Sequence, residues 1–144
     1  MSAIRVSLLA VGFALASACS RDTSKLSPEL AARFAAEGIR YRADNTVFRF
    51  SHDRGTSSAG WENRDASIIV TGKTVYLHKN EKVGIEITPT AAGPYEVHRD
   101  HDRVRISVGS GASKETWSFT PPADAPGWTE AIRDVIKSKG DDAQ

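Results

Sequence analysis

The sequence predicts an α+β, mainly β fold: about seven antiparallel strands in a sandwich or barrel, capped by a C-terminal helix and preceded by a short extra helix. Between residues 47 and 120, stretches with apolar residues at every second position are separated by turns rich in glycine, proline and aspartate. That period is typical of strands with one buried face. Near the end the apolar spacing becomes that of an amphipathic helix. The 144 residues have room for one ordinary domain.

Residues 1–18 are predicted to be a signal peptide. Arg5 supplies a positive charge, and Val6–Ala16 is an uncharged apolar stretch that is too short for a membrane span, which takes about 20 residues. Small residues then lead to Cys19, the only cysteine of the chain. Two processing routes fit. One is an ordinary secretion signal cleaved after Ala18; the other is a bacterial lipobox, which this junction resembles and in which the cysteine is acylated before cleavage just ahead of it.

We expect Cys19 to be the lipidation site. A lone cysteine in an oxidising compartment has no internal disulfide partner, and acylation consumes the thiol. Two or three acyl chains hold a protein firmly on a membrane. In the Gram-negative lipoproteins that this junction resembles, Asp directly after the cysteine favours the inner membrane, whereas Ser20 stands here. The resemblance implies an outer-membrane anchor facing the periplasm, and residues 19–26 are then a lipidated tether.

Residues 27–39 are predicted to form the extra helix. Ser27 is a good N-cap, and Gly38 is a typical helix stop. Leu30 and Phe34 are one helical turn apart, so they lie on one apolar face. We interpret this helix as packing on the domain; the alternative is a docking helix for a partner.

Seven stretches carry the strand pattern: residues 47–51, 66–70, 74–79, 83–88, 95–99, 103–108 and 114–120. Turn residues predict hairpins at 71–73 and 100–102. The segment Ser51–Asp65 is polar, and we interpret it as a loop.

The C-terminal helix is predicted from a cap at Asp124 to a stop at Gly140. Its apolar stripe consists of Trp128, Ala131, Ile132, Val135 and Ile136. Together with the order of elements, the phrase WTEAIRDVI resembles the pleckstrin-homology superfold. In that family a Trp near the start of the closing helix, followed by an Ala-Ile pair, packs into the barrel end. The resemblance implies a pleckstrin-homology-like domain over residues 40–139, with 140–144 as a tail.

Charge excludes some partners. The chain has 19 Lys and Arg against 18 Asp and Glu, so a near-neutral domain lacks the basic surface that nucleic acid requires. Phosphoinositide-binding members of the family that the chain resembles carry a basic set in the first loop. Here Arg54 and Arg64 are accompanied by Asp53, Glu62 and Asp65, and we expect no phosphoinositide binding.

Trp61 is the candidate partner-binding residue, with Arg54 and Arg64 beside it. A tryptophan among polar residues either folds back as a lid on the core or stays exposed as an anchor for a partner, since tryptophan is enriched at binding hot spots. We expect the domain to be a binding module for an envelope protein or peptide.

The sequence leaves two alternatives to a binding module. His98, Asp100 and His101 form a weak zinc candidate, but neighbouring strand residues point to opposite faces, so we expect no metal site and no cofactor. No nucleophile motif or phosphate loop is evident, and we expect no enzyme. The second hypothesis is an immunity or inhibitor lipoprotein against a secreted effector or hydrolase. The third is a small hydrolase or metal-binding protein that uses the His98–His101 cluster.

Overall fold

The computed structural model describes residues 26–53, 58–80, 83–88 and 95–137. The elements in chain order are α1 (Pro28–Glu37), β1 (Ile39–Asp53), β2 (Ser58–Thr71), β3 (Val75–Asn80), β4 (Val83–Ile87), β5 (Tyr95–Asp100), β6 (Arg103–Val108), a 3-10 turn (Gly111–Ser113), β7 (Glu115–Phe119) and α2 (Ala125–Lys137). The predicted signal peptide, Cys19, Arg54 and the tail 140–144 lie outside the described residues.

The seven strands form one antiparallel sheet in the order β4-β3-β2-β1-β7-β6-β5. The sheet curls into a half-barrel, with α2 on its concave side and α1 on its outer side. The predicted fold class is confirmed, and so are the hairpin turns that join β2 to β3 and β5 to β6. β1 is the fourth of the seven strands and therefore the central one, and it pairs with β2 on one side and β7 on the other.

The interpretation of Ser51–Asp65 as a loop is wrong over most of its length. β1 continues to Asp53, and β2 begins at Ser58, so that Trp61 lies opposite Phe50 in the ladder. In the described part of this polar stretch, residues 51–53 and 58–63 pair in the long β1–β2 hairpin. Its side chains can stay polar because a strand in a sheet with one solvated face needs apolar residues only on the other face.

The concave face of the sheet and α2 enclose the main core. The predicted stripe of α2 is confirmed: Trp128, Ala131, Ile132 and Val135 are buried against the sheet, and Ile136 is partly buried. The Trp128 ring packs against Tyr41 at 5.0 Å between ring centroids. Complete burial of an aliphatic side chain stabilises the fold by about 1.5–3 kcal/mol, so this stripe accounts for the position of α2.

The outer face of β2 and β3 is covered by α1. Phe34 is fully buried, and its ring lies 5.1 Å from that of Tyr76. Arg33 bridges to Glu86 on β4 at 3.0 Å. The interpretation that this helix packs on the domain is confirmed, and the helix ends at Gly38 with φ of +79°, as predicted for its stop.

Neither of the two described helices is long and apolar enough to cross a membrane.

Candidate functional site

Alternation along β1 divides the sheet into an apolar inner face and a polar outer face. Phe48 and Phe50 are buried in the core, whereas Arg49 and Ser51 between them are exposed. The ladder then fixes their neighbours, because directly opposed residues point to the same side. Arg49 lies opposite Ser118 on β7, and the outer face over β1 and β7 is therefore polar.

A cleft of about 620 Å³ lies over this polar strip. We call it the β1–β7 cleft, and it is lined by Arg49, Phe50, Ser51, Asp53, Gly60, Trp61, Glu62, Arg105, Lys114, Thr116 and Ser118. Position 60 leaves no room for a side chain, because a Cβ there would stand 2.9 Å from the carbonyl oxygen of Phe50, and this accounts for Gly60. Residues from four different parts of the chain thus meet at one place.

Trp61 is the exposed large apolar residue next to the cleft. Because it lies opposite Phe50 in the ladder, its ring is on the inner side of the sheet, whereas Arg49 and Ser51 face the cleft. One side of its ring packs on Phe50, with 4.2 Å between centroids and 34° between planes, and Phe50 packs in turn on Trp117. Trp61 is nevertheless 54% exposed. It is therefore more open than a lid on the core would be, and it is held on β2 rather than on a loop. A rigidly supported and exposed aromatic ring is the arrangement that binding hot spots use.

Glu62 is neutralised within the protein. Its Oε2 accepts from Arg49 Nε at 2.8 Å and its Oε1 accepts from Arg64 Nε at 3.0 Å. The hydrogen bond from Arg49 is the main cause that holds the pKa of Glu62 below its usual range, and both guanidinium charges add to it. Arg64, a predicted partner-binding residue, is thus engaged with Glu62 beside the cleft and does not line it.

Two cations of the cleft have no such partner. Arg105 and Lys114 form no ion pair with any acid in the part of the chain that the structure describes. Arg105 lies opposite Ser118, and Lys114 immediately precedes β7 with extended backbone angles. Asp53, at the Lys114 end, is a lining carboxylate that likewise has no ion pair among the described residues.

The predicted site residues are therefore only partly brought together. Trp61 lines the cleft, Arg64 lies beside it, and Arg54 falls outside the described residues. Sequence reasoning missed Arg105 and Lys114. The alternation in RVRISV does place Arg105 on the outer face, but only the strand order shows that this face adjoins Arg49 and Trp61.

The metal candidates are distributed along the β5–β6 hairpin. His98 is exposed on β5 with its Nε2 3.4 Å from Glu96 Oε2, Asp100 ends the strand, and His101 lies in the turn with φ of +54°. Within the described ranges, no group of three or more His, Cys, Asp or Glu side chains could hold a metal ion.

The chain matches no protein-family model and no curated protein.

Proposed function

We propose that this protein is an envelope lipoprotein whose pleckstrin-homology-like domain binds a protein or peptide at the β1–β2 hairpin, with the Trp61 ring on one side of the hairpin and the β1–β7 cleft on the other. The observation that carries the proposal is Trp61, more than half exposed yet packed on Phe50, on the side of the hairpin opposite the polar cleft. Exposing so large a ring forgoes the free energy of burying it, and a partner that covers the ring recovers that free energy.

The proposed domain family is supported by the closing helix. Trp128, Ala131 and Ile132 are the residues on which the resemblance to the pleckstrin-homology superfold rests, and all three are buried between α2 and the curled sheet. A half-barrel closed in this way presents its polar outer face and its hairpin ends to a partner.

The proposed anchor is supported by the residues around Cys19. A tether over residues 19–26 would reach at most about 28 Å when fully extended. Acyl chains on Cys19 would thus keep the cleft within a few tens of ångströms of the membrane. A partner at the envelope surface lies within that reach.

A photo-crosslinking amino acid at Ser51, inside the cleft, tests the proposal in intact bacterial cells. We expect a discrete adduct whose partner is identified by mass spectrometry, and we expect Trp61→Ala to remove it. Ile39→Ala is the matched control, since Ile39 is also an exposed large apolar residue of the sheet but lies outside the cleft. The same crosslinker at Glu29 on α1 controls for random proximity.

The proposal is wrong if Ser51 gives no adduct beyond that seen from Glu29. It is also wrong if Trp61→Ala and Ile39→Ala leave equal amounts of the same adduct. The amount of protein in the membrane fraction is measured in parallel, so that loss of an adduct is not confused with loss of the protein.

A further inference from the structure

We propose that the β1–β7 cleft takes an extended acidic segment of its partner, with two carboxylates four residues apart. This inference rests on the proposed binding function and names the chemistry of the partner. It is carried by the two unpaired cations of the cleft, by the distance between them and by the hydroxyl groups that lie between them.

The first step is the position of the cations. Arg105 is level with Ser118 in the β6–β7 ladder, and Lys114 precedes Ser118 by four residues. Since a strand rises about 3.3 Å per residue, the Cα atoms of Lys114 and of Ser118, which is level with Arg105, stand about 13 Å apart along β7. An extended peptide covers the same distance in four residues, and its side chains at i and i+4 point to one side.

The second step is the surface between the cations. Thr116 and Ser118 alternate with the buried Trp117 and Phe119, so that they share the outer face of β7. Ser51 lies opposite Thr116 on β1. These small hydroxyl groups leave space above the strand, and each can donate to or accept from a peptide group or a hydroxyl side chain. A peptide can therefore lie along β7 without displacing a large side chain.

The third step is the balance of charge. Glu62 already accepts from Arg49 and Arg64, so it does not compete for the cations of the cleft. Asp53 is the lining acid without a described ion pair, and it stands at the Lys114 end. Asp53 would repel a carboxylate bound at Lys114. Removing the charge of Asp53 is therefore expected to strengthen binding, whereas removing either cation is expected to weaken it.

The spacing of the two positions favours an extended partner. Two carboxylates four residues apart on an extended chain are separated by the same distance as the Cα atoms of Lys114 and Ser118. Charge-assisted hydrogen bonds at both ends would fix the register of the peptide.

The experiment compares two blocked synthetic peptides of identical composition and charge, Asp-Val-Thr-Val-Asp and Val-Asp-Thr-Asp-Val. Each is titrated into the full chain, purified in detergent, by calorimetry and by NMR of the Thr116 and Ser118 amides. The first peptide places its carboxylates about 13 Å apart when extended and the second about 7 Å apart. We expect the first to bind at least about fivefold more tightly, and both to weaken as the salt concentration rises.

Four variants make the test specific. Arg105→Gln and Lys114→Gln are each expected to weaken binding of the first peptide by about fivefold to tenfold. Asp53→Asn is expected to strengthen binding by about twofold to threefold, because it removes a like charge. Lys73→Gln is the matched control, since Lys73 is an exposed cation in the β2–β3 turn, outside the cleft.

Equal affinity for the two peptides overturns the inference, and so does an equal effect of Arg105→Gln, Lys114→Gln and Lys73→Gln. Displacement of the peptide by inorganic phosphate at equal concentration also overturns it, since the cations then bind a small anion. The two experiments can reject the proposed function and the acidic partner independently of each other. A Trp61-dependent adduct at Ser51 without peptide binding rejects only the acidic partner, whereas peptide binding without an adduct rejects only the function in the envelope.

Discussion

The hydroxyl of Tyr41 donates a hydrogen bond of 2.8 Å to Asp124 Oδ2 and thereby joins β1 to the residue that immediately precedes α2. Asp124 Oδ1 accepts from the backbone N–H of Gly127 at 3.1 Å, in the first turn of the helix. One carboxylate thus caps α2 and fixes it to the sheet. A side chain at position 127 would meet both Asp124 and the Tyr41 hydroxyl, which accounts for the glycine there.

Asp124→Asn is predicted to lower the pKa of Tyr41. The hydrogen bond to the Asp124 carboxylate is the main cause that raises this pKa, and burial and the carboxylate charge add to it. A neutral amide removes the charge, so we expect the pKa to fall toward the ordinary value near 10. NMR of ¹³C-labelled tyrosine across a pH titration measures it for each ring.

Tyr95 is the internal control in the same spectra. Its pKa is raised by burial and by the charge of Glu115, neither of which involves Asp124. The prediction is contradicted if the pKa of Tyr41 stays where it was, or if the pKa of Tyr95 moves by as much.

Stability is predicted to decrease in mild acid because of His78. His78 is 4% exposed, its ring stacks on Tyr76 at 5.6 Å, and neither ring nitrogen has a hydrogen-bond partner among the described residues. Burial lowers the pKa of His78 below its ordinary value of 6.5. The unfolded chain therefore takes up a proton at a higher pH than the folded protein does.

The contribution of His78 to the free energy of unfolding is consequently complete above about pH 6.5 and is lost as the pH falls from there to the folded-state pKa. Uptake of one proton changes the free energy of unfolding by at most about 1.4 kcal/mol per pH unit. Urea unfolding at a series of pH values measures it. His78→Phe keeps an aromatic ring on Tyr76 without a titrating group, and an equally steep pH dependence in that variant would contradict the prediction.

Phe34→Ala is predicted to lower the free energy of unfolding by about 3 kcal/mol, because it removes a fully buried ring from the contact between α1 and the sheet. Denaturant unfolding gives the value. Phe34→Leu keeps most of the apolar volume and is expected to lose about 1 kcal/mol. Amide hydrogen exchange shows whether α1 then opens by itself, in which case only its own amides lose protection.

Cys19→Ala is predicted to move the protein from the membrane fraction to the soluble fraction, because it removes the proposed attachment point of acyl chains. Mass spectrometry of the mature N-terminus of the unaltered protein is expected to show a diacylated or triacylated Cys19. A mature chain that begins with an unmodified Cys19 and stays soluble would reject the lipoprotein hypothesis and leave a free thiol to be explained.

Periodicity was sufficient to predict the parts of the fold in which one face is apolar. The hairpin from Tyr95 to Val108 and the stripe of α2 are examples, because burial selects the residues on one face and leaves the others polar. The first half of β2 has no such signal. Around Trp61 and Glu62 only the tryptophan is large and apolar, and pairing with β1 rather than burial makes this stretch a strand.

The cleft was harder to predict for a different reason. Trp61 is recognisable in the sequence as an aromatic residue among polar ones, but Arg105 and Lys114 lie near Arg49 only because β7 pairs with β1. Strand order depends on contacts between residues far apart in the chain, and no local pattern reports it. The nearly neutral net charge also gives no indication of the unpaired cations, because acidic residues elsewhere on the surface balance them in the total.

The central position of β1 determines when the cleft can exist during synthesis. Phe48 pairs with Phe119, 71 residues later in the chain. One wall of the cleft can therefore form only after the last strand has been synthesised. Pairings between such distant residues close large loops and form late in folding. A partially synthesised chain that has completed the β1–β2 hairpin displays Trp61 without Arg105, Lys114 or the hydroxyl groups of β7. The cleft is therefore complete only when almost the whole domain has been made.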